Sequence, residues 1–382
     1  MKPVLKLTAV ATPQAWVERL NAGADEAGLQ HEFLGHEWAR NYLAGWPEGD
    51  FFMGMALTPT DSASGPASLV ALSRGQRSSP CSRSHASLGF NESSSKELAD
   101  VTLEVNGLFG AAGIALEDAL PAVLAHLYAM PEWDELRVNA LSLAQAAALQ
   151  AQAQHLGLLA HEFKRSLTYW IDLDQLKAQA RPDYLSSRSA NTRQQLRRAL
   201  KALNAAHGDL QIEASASLAQ AHEWLDRLEA LHRHRWNSHG ESKGFAKPAF
   251  TRFHHELLDE FQATGRIEIL RASAGGRDLA YLYNHVARRR VYFSMSGVEH
   301  QTMAAFKPGL LAHWQAIEHY CERGMAIYDL GAGSNRYKAS LCTHQDSQVG
   351  MVVRRPLLKF RLEDVARRLK RRLALWRLDT PP

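Results

Sequence analysis

Three apolar runs separated by two turn signals occupy residues 267–297, and they constrain the fold more than any other feature of the chain. The runs are rich in β-branched and aromatic residues. The turn signals are Gly275-Gly276 and Arg288-Arg289-Arg290. Apolar runs broken by short turn sequences are typical of antiparallel strands joined by hairpins. The segment therefore predicts a meander of three antiparallel strands.

A helix and a short strand are predicted directly after the meander. The apolar spacing from Leu310 to Arg323 predicts the helix, which starts after Pro308-Gly309 and stops at Gly324. Met325–Asp329 reads as a strand, and a polar loop containing glycines closes the segment at residues 331–338. The predicted order is thus β-β-β-α-β.

The first half of the chain shows the same plan without evident sequence identity to the second half. Strands are predicted at Glu135–Val138 and Ser166–Asp172, with helices at Leu116–Met130 and Leu143–His155. Alternating strands and helices predict an α/β or α+β fold with mixed, mostly antiparallel sheets flanked by helices. We therefore expect two tandem domains of similar architecture.

The length of 382 residues is enough for two ordinary domains. We expect an N-terminal domain at 1–175, a C-terminal domain at 176–353 and a basic helical segment at 354–382. Within the first domain, Arg74–Ser84 holds few apolar residues and is predicted to be a mobile loop.

Composition excludes several classes of protein. A hydrophobic content of 46% and a charged content of 22% are typical of a globular protein. No apolar run reaches the roughly 20 residues that span a bilayer, and the N-terminus does not resemble a signal peptide, so we expect a cytoplasmic protein. Cys81, Cys321 and Cys342 are too scattered for a disulfide framework or a zinc site. Since no glutamate stands between two histidines at metal-binding spacing, no metal site is predicted.

Two segments concentrate positive charge. Arg354–Arg377 holds ten Lys and Arg against two acidic residues, and Arg188–Lys201 holds five against none. Such runs are often solvated helix faces, and they also bind phosphates, nucleic acid or anionic membranes. The apolar residues of Leu357–Leu378 recur at helical spacing, which fits an interfacial helix and fits packing on the domain equally well. Peripheral contact with the inner membrane is therefore one expectation.

The closing loop resembles the motif of a known family. The sequence Tyr328-Asp329-Leu330-Gly331-Ala332-Gly333-Ser334-Asn335-Arg336-Tyr337-Lys338 resembles the strand-Asp-Leu-x-Gly-x-x-x-Tyr-Lys motif of GNAT superfamily acyltransferases. The resemblance is to the CelD/BcsL-like branch, which is linked to cellulose biosynthesis and has a FemAB-like double fold. Ser334 stands where an acidic residue often follows the glycine in that branch.

Three further segments resemble the same family. Ser189–Lys201 resembles its Asn-Thr-Arg segment, residues 88–108 resemble two cleft segments, and Leu231–Trp236 resembles a helix end with the pattern Leu-His-x-x-Arg-Trp. The guanidinium groups of this region suit phosphate or carboxylate recognition. The resemblance implies substrate-binding roles for five residues, namely Asn91, Glu104, Arg193, Arg197 and Trp236.

The resemblance also implies the reaction and its partners. It predicts transfer of an acyl or aminoacyl group from acyl-CoA or aminoacyl-tRNA, as a co-substrate and not as a bound cofactor. The implied acceptor is a polysaccharide, a lipid or a peptidoglycan-type precursor, and the only nucleic acid expected is a tRNA donor. Phe306, Lys307 and Gly309 take the place of the family's phosphate loop. In this chain the segment departs from the family's loop, since it has one glycine and a proline without an N–H.

Four residues are predicted to serve catalysis, namely Asp329, Tyr283, His285 and Lys338. Strand alternation places Tyr281, Tyr283 and His285 on one face, and Tyr281 and Tyr337 are predicted to bind substrate. The tyrosines could equally belong to the core, and Asp329 could cap its loop or form an ion pair with Lys338. The competing functional interpretation is a catalytically inert GNAT-fold binding partner, associated with a membrane surface or a nucleic acid through its basic helices.

Overall fold

A computed structural model of the protein describes residues 4–22, 33, 35–47, 49–60, 67–80, 82–110, 113–178, 183–237, 244–300 and 303–366. The chain divides into two compact units. Unit 1 consists of Met1–Arg165 with Gln348–Pro382, and unit 2 consists of Ser166–Ser347. These units differ from the linear division at residues 175 and 353, because the chain returns to unit 1 at Gln348.

Twelve strands and ten helices are labelled below, and all lie in the described part of the chain. The elements up to the unit boundary are β1 (Leu5–Val10), α1 (Pro13–Ala22), α2 (His36–Ala44), β2 (Phe51–Pro59), β3 (Ser68–Ser79), β4 (Ser82–Phe90), α3 (Leu116–Ala129), β5 (Glu135–Ser142), α4 (Leu143–His155) and β6 (Leu159–Asp172). The following elements are α5 (Leu173–Lys177), α6 (Ala190–His207), β7 (Gln211–Ala214), α7 (Leu218–Asn237), α8 (Pro248–Phe261), β8 (Ile267–Ala274), β9 (Arg277–Ala287), β10 (Arg290–Val298), α9 (Pro308–Glu322), β11 (Ile327–Ala332), α10 (Arg336–Leu341) and β12 (His344–Arg354). Residues 358–366 are also helical.

The sheet of unit 1 has the order β1-β2-β3-β4-β5-β12. All neighbours in it are antiparallel except β4 and β5, which pair in parallel over Ser87–Gly89. Leucines and valines of α3 and α4 pack with the strands in one core cluster. Trp16 of α1 donates its indole N–H to the Val70 carbonyl at 2.9 Å, so the aromatic ring is satisfied although it is buried.

The polar stretch Arg74–Ser84 is not the mobile loop that its composition predicts. Its residues extend β3 and β4, which remain paired from Leu72–Phe90 out to Ser79–Ser82. The prediction was wrong because the ladder is held by backbone hydrogen bonds, which need no apolar side chains where both faces meet water.

The sheet of unit 2 has the order β6-β11-β10-β9-β8-β7 and confirms the predicted meander, since β8, β9 and β10 are antiparallel neighbours. The first turn uses Gly275 and Gly276 at φ 55° and 73°. The second turn holds Arg288 and Arg289 in the same left-handed region, at φ 49° and 63°. Left-handed backbone at both central residues matches the twist of a tight hairpin.

Helices cover both faces of the unit 2 sheet. Apolar side chains of α5, α6 and α9 pack with one face in a continuous core cluster. On the other face, Trp224 of α7 contacts Tyr281, and His254 of α8 contacts Tyr283. Each unit therefore shows three antiparallel strands, a helix and a strand parallel to the third, which confirms the predicted α/β fold with tandem domains of mixed sheet.

Candidate active site

The parallel pairing of β10 with β11 is short. Residues 290–292 pair with residues 327–329, and no further pair joins these strands in the described chain. Just beyond this point, the register of β10 against β9 shifts between Phe293 and Met295, and that of β11 against β6 shifts after Asp329. Register irregularities of this kind bend strands and are frequent beside binding sites. The two strands therefore diverge on the carboxyl side of their pairing.

A cavity of about 430 Å³ opens beside the diverging part of β10. Its volume lies in the range of small-molecule sites. The lining comes mainly from three elements: residues 293–296 and 298 of β10, residues 307–310 and 313 at the start of α9, and Asn335, Tyr337 and Lys338 at α10. Four of the predicted site residues, Lys307, Gly309, Tyr337 and Lys338, are thus brought together in one cavity.

The first turn of α9 borders this cavity. Lys307 precedes the helix in the left-handed conformation, at φ 51°, and Pro308 has no N–H. The N–H groups of Leu310 and Leu311 both donate to the Lys307 carbonyl, at 3.0 and 3.2 Å. Gly309 retains the one N–H of this turn that has no backbone acceptor among the described residues. A side chain there would begin 3.4 Å from Val298, so the helix lies close to β10.

Lys338 reaches the cavity from α10. The residue is buried, and its Nζ donates a hydrogen bond to the Ala332 carbonyl at 2.8 Å. The stem of the side chain lies against Gly333, where a Cβ would be 3.5 Å from Nζ. An ammonium group fixed in the wall of a cavity is suited to stabilise negative charge that develops on a nearby oxygen.

His313 is a cavity residue that the sequence analysis missed. It is buried, its Nδ1 lies 3.1 Å from the Tyr328 hydroxyl, and its ring stacks on Tyr337 at 5.3 Å between centroids. Burial first, and Lys338 second, lower the pKa of His313 to about 3, so the ring is neutral at ordinary pH. The spacing of four residues from Gly309 was the available signal, because it places both residues on one helix face.

Asp329 lies at the point where β10 and β11 diverge, but it does not line the cavity. Its Oδ2 accepts from the Arg290 guanidinium at 2.8 Å, and its Oδ1 accepts from the Gly331 N–H at 2.8 Å. The carboxylate thus supports the bend of β11, as in the alternative that assigned it a capping role. The ion-pair partner is Arg290 in place of the expected Lys338.

Tyr281, Tyr283 and His285 share one face of β9, but the structure places them under α7 and α8 and outside the cavity lining. The Tyr281 hydroxyl donates to Asp278 at 2.6 Å. Burial raises the pKa of Tyr283 above its ordinary range and lowers the pKa of His285 to about 3. The predicted common face is correct, and helix packing against it fits the core alternative.

The remaining predicted residues lie apart from the cavity. Phe306 contacts the ring of His207 and packs against the core of unit 2. Arg193 donates to the Arg188 carbonyl at 2.5 Å, while Arg197 is exposed on α6. These two arginines belong to an open surface of α6 that Arg198 and Lys201 share.

Asn91 and Glu104 are the predicted site residues that lie in unit 1. Asn91 is buried at φ 57°; its Oδ1 accepts from the Ala71 N–H, and its Nδ2 donates to Asn106 and to the Gly107 carbonyl. Glu104 is half-buried in the segment between β4 and α3. The side chain of Trp236 lies outside the described residues.

Neither a metal centre nor a membrane-spanning helix is found in the part of the chain that the structure describes. No group of three or more His, Cys, Asp or Glu side chains there could hold a metal ion. None of the described helices is both long and apolar enough to cross a bilayer.

Comparisons with known proteins agree with this geometry. Residues 190–339 match the family model of the acetyltransferase (GNAT) domain. No curated protein matches the chain in sequence. The crystal structure of FemX is similar, with a TM-score of 0.53 at 12% identity, over 94% of this chain and 99% of that one. The C-terminal domain of a proposed lysylphosphatidylglycerol synthetase from Agrobacterium fabrum is also similar, with a TM-score of 0.52 at 13% identity, over 88% of this chain and 92% of that one.

These similarities confirm the GNAT resemblance and the FemAB-like double fold. At such low identities, the solved structures establish the fold alone. The narrower placement in the CelD/BcsL-like branch stays a prediction.

Proposed function

We propose that this protein is an acyltransferase that moves an acyl or aminoacyl group from an activated donor to an acceptor at the cavity beside β10. The observation that carries the proposal is the divergence of β10 from β11, which opens a cavity where the Lys338 side chain and the start of α9 meet. The GNAT domain matched by residues 190–339 supports it. Asp329, Tyr283 and His285 are not needed as catalytic groups in this proposal, because they lie outside the cavity lining.

The reaction needs few reactive side chains from the protein, since the donor carbonyl is already activated. An acceptor amine or hydroxyl attacks the carbonyl carbon, and the π electrons of the carbonyl move onto its oxygen. The Lys338 ammonium stabilises this oxyanion, and the Gly309 N–H offers a further donor. Collapse of the intermediate breaks the bond to the thiol of CoA or to the ribose oxygen of tRNA, and the leaving group takes up the proton released by the acceptor. Alignment of the two substrates supplies much of the remaining rate enhancement.

Two features favour aminoacyl-tRNA over acyl-CoA as the donor. The first turn of α9 offers one N–H, which is few for a pyrophosphate that is normally held by several. In contrast, α6 exposes Arg197, Arg198 and Lys201, and no carboxylate of the described residues forms an ion pair with them. Cations without a local partner suit a polynucleotide backbone, whose binding is driven by phosphate neutralisation. Arg193 extends the same row.

The acceptor is proposed from resemblance. The CelD/BcsL-like branch implies a polysaccharide, and the FemAB-like fold implies a peptidoglycan-type precursor. The name of the Agrobacterium fabrum relative includes lysylphosphatidylglycerol, which adds a phospholipid. All three offer a hydroxyl or amine nucleophile, so the first experiment uses a small nucleophile in their place.

Replacing Lys338 by methionine is expected to reduce acyl transfer about 10²–10³-fold, because one preorganised donor to an oxyanion is worth that much. The assay follows transfer from acetyl-CoA, or from a mixed pool of aminoacyl-tRNA, to hydroxylamine. A second variant, Ser296→Phe, places a ring in the cavity beside β10 and is expected to abolish transfer. The matched control is Ala219→Phe on the exposed surface of α7.

The donor pools also separate the two donor classes. Consumption of aminoacyl-tRNA alone supports the preferred donor, and consumption of acetyl-CoA alone replaces it. If the unmodified protein consumes neither, or if Lys338→Met and Ser296→Phe transfer at the normal rate, the proposed site is refuted.

A second candidate function, contact with an anionic membrane surface, is favoured by the helix at 358–366. Leu358, Leu362 and Val365 are 74%, 55% and 55% exposed and recur at helical spacing. The opposite side of the helix is anchored, since Phe360 and Glu363 are buried and Glu363 accepts from Arg354 at 2.7 Å. The three exposed apolar side chains thus face solvent from a helix whose other side is held in place. The rest of the predicted interfacial helix, from residue 367 on, lies outside the described residues.

The double variant Leu358→Ser, Leu362→Ser is expected to weaken binding to vesicles at least about 100-fold, since the two leucine side chains together gain about 3–6 kcal/mol on burial and about 1.4 kcal/mol is tenfold in affinity. Co-sedimentation with vesicles of phosphatidylcholine and phosphatidylglycerol measures the effect. Leu218→Ser on α7 is the control for loss of an exposed leucine. Equal binding by the double variant and the unmodified protein would contradict a membrane role for this helix.

A further inference from the structure

The ring of His313 lies between the cavity and the core of unit 2. It is buried on α9, and the Phe293 ring meets it edge-on at 4.5 Å while the Tyr337 ring stacks on it at 5.3 Å. Two aromatic contacts in different planes leave the imidazole little freedom to rotate. A ring fixed in this way is oriented before any substrate arrives, which is the condition for electrostatic catalysis.

The hydrogen bond to Tyr328 determines which ring nitrogen has the proton. Tyr328 is fully buried, and His313 Nδ1, at 3.1 Å, is the only hydrogen-bond partner of its hydroxyl among the described residues. A buried hydroxyl rarely leaves its hydrogen without an acceptor. The hydroxyl therefore donates to Nδ1, which must be bare, and the hydrogen of the neutral ring lies on Nε2.

The neutral ring is a donor and a poor base. Burial and Lys338 hold the pKa of His313 near 3, so the ring does not take up a proton at ordinary pH. Its Nε2–H has no hydrogen-bond acceptor among the described residues. A polar N–H that lines a cavity without an acceptor in the protein is suited to an oxygen of a ligand.

We propose that His313 donates its Nε2–H to the carbonyl oxygen of the acyl donor, and that Tyr328 acts as a positioning residue that keeps the proton on Nε2. The inference rests on the proposed acyl transfer and adds His313 to the oxyanion donors already named there, Lys338 and the Gly309 N–H. As the acceptor attacks, a carbon–nitrogen or carbon–oxygen bond forms and the carbonyl π pair moves to oxygen. The bond to the donor's leaving group then breaks, and the proton of the acceptor goes to that leaving group. His313 transfers no proton in any step; it only strengthens its hydrogen bond as charge develops.

Replacing His313 by leucine is expected to lower kcat about 100-fold with little change in KM, because the lost interaction forms fully only in the transition state. His313→Gln places an amide N–H near the position of Nε2 and is expected to recover most of that loss. Tyr328→Phe frees Nδ1 to hold the proton and is expected to lower kcat about 10-fold, a smaller effect because part of the tautomer mixture still has the proton on Nε2. Melting of each variant controls for folding.

A measurement that needs no activity tests the tautomer itself. Nitrogen-15 spectra of histidine-labelled protein, assigned by the signal missing in His313→Gln, are expected to show an Nε2–H ring that does not titrate between pH 5 and 8. Tyr328→Phe is expected to shift that signal toward a mixture of tautomers. An Nδ1–H ring, or a ring that titrates in this range, would overturn the inference.

The kinetic outcomes separate this inference from the proposed function. If the unmodified protein transfers acyl groups and His313→Leu does so at the same kcat, the role of His313 is wrong and the acyltransferase remains. The role is also wrong if leucine and glutamine lower kcat equally in variants that melt normally. If the unmodified protein transfers no acyl group from either donor pool, the proposed function itself fails, whatever the tautomer.

Discussion

Glutamine in place of Glu135 is expected to destabilise the protein by about 3–5 kcal/mol, because it leaves buried arginine charge without its carboxylate. The Glu135 side chain is 1% exposed, and its Oε2 accepts from Arg354 Nε at 2.7 Å. Its Oε1 lies 3.5 Å from Arg137 and 3.7 Å from Arg77. Glu363 still pairs with Arg354 in the variant, so we expect a value near the lower end of the range. Denaturant unfolding of the full chain measures it.

The pH dependence identifies the cause of that loss. Burial acts to raise the pKa of Glu135, but Arg354 and Arg137 outweigh it and hold the pKa below the ordinary 4.5. A depressed carboxyl pKa stabilises the folded state above the unfolded value, and the gain is lost as pH falls through the folded value. The difference between wild type and Glu135→Gln should therefore shrink below pH 4.5. The exposed Glu132→Gln is the matched control, and an unchanged difference at low pH would contradict the ion-pair explanation.

The sequence predicted elements well where local signals and periodicity agree. The meander of β8, β9 and β10 and the helix α9 were predicted within a few residues, because glycine turns and a Pro-Gly start mark their ends. The long hairpin of β3 and β4 was missed, since serine and arginine in a strand look like a loop when no face is apolar. The return of the chain to unit 1 at Gln348 depends on pairing between distant strands, such as β12 with β5, which local patterns do not encode.

The structure brings some of the predicted site residues together in one cavity and places others apart from it, and the separation has one physical origin. Alternation places Tyr283 on a particular face of β9, but it does not say whether a helix will cover that face, as α8 does. Lys338 and Tyr337 were named from the motif of the closing loop and Gly309 from its place at the start of the helix, and the structure brings them together in one cavity. His313 was missed because a histidine inside an apolar helix reads as a core residue until its neighbours are known. Its hydrogen bond to Tyr328 crosses from α9 to β11.

Wild-type stability is expected to fall by about 3 kcal/mol as pH rises from about 4.5 to 7, because of Glu92 alone, with each pKa unit worth about 1.4 kcal/mol. Glu92 follows β4 in unit 1. Burial raises its pKa from 4.5 to about 7, although a hydrogen bond from Asn139 and the charges of Arg137 and Lys164 act in the opposite direction. Its Oε1 has no hydrogen-bond partner among the described residues. The folded chain therefore holds this proton more tightly than the unfolded chain, and deprotonation favours unfolding.

The variant Glu92→Gln has no titrating group at this position. Its free energy of unfolding is therefore expected to lose the part of the pH dependence that Glu92 causes between pH 5 and 8. The slope against pH is the decisive quantity, because the new amide could lower stability at every pH by leaving an N–H unsatisfied. Glu97→Gln, exposed on the same loop, should keep the wild-type slope. If Glu92→Gln keeps that slope as well, Glu92 is ionised at neutral pH in the folded protein. The buried carboxylate would then need water or a bound cation as a hydrogen-bond partner. If a cation binds there, addition of ammonium ions should raise the melting temperature of the wild type.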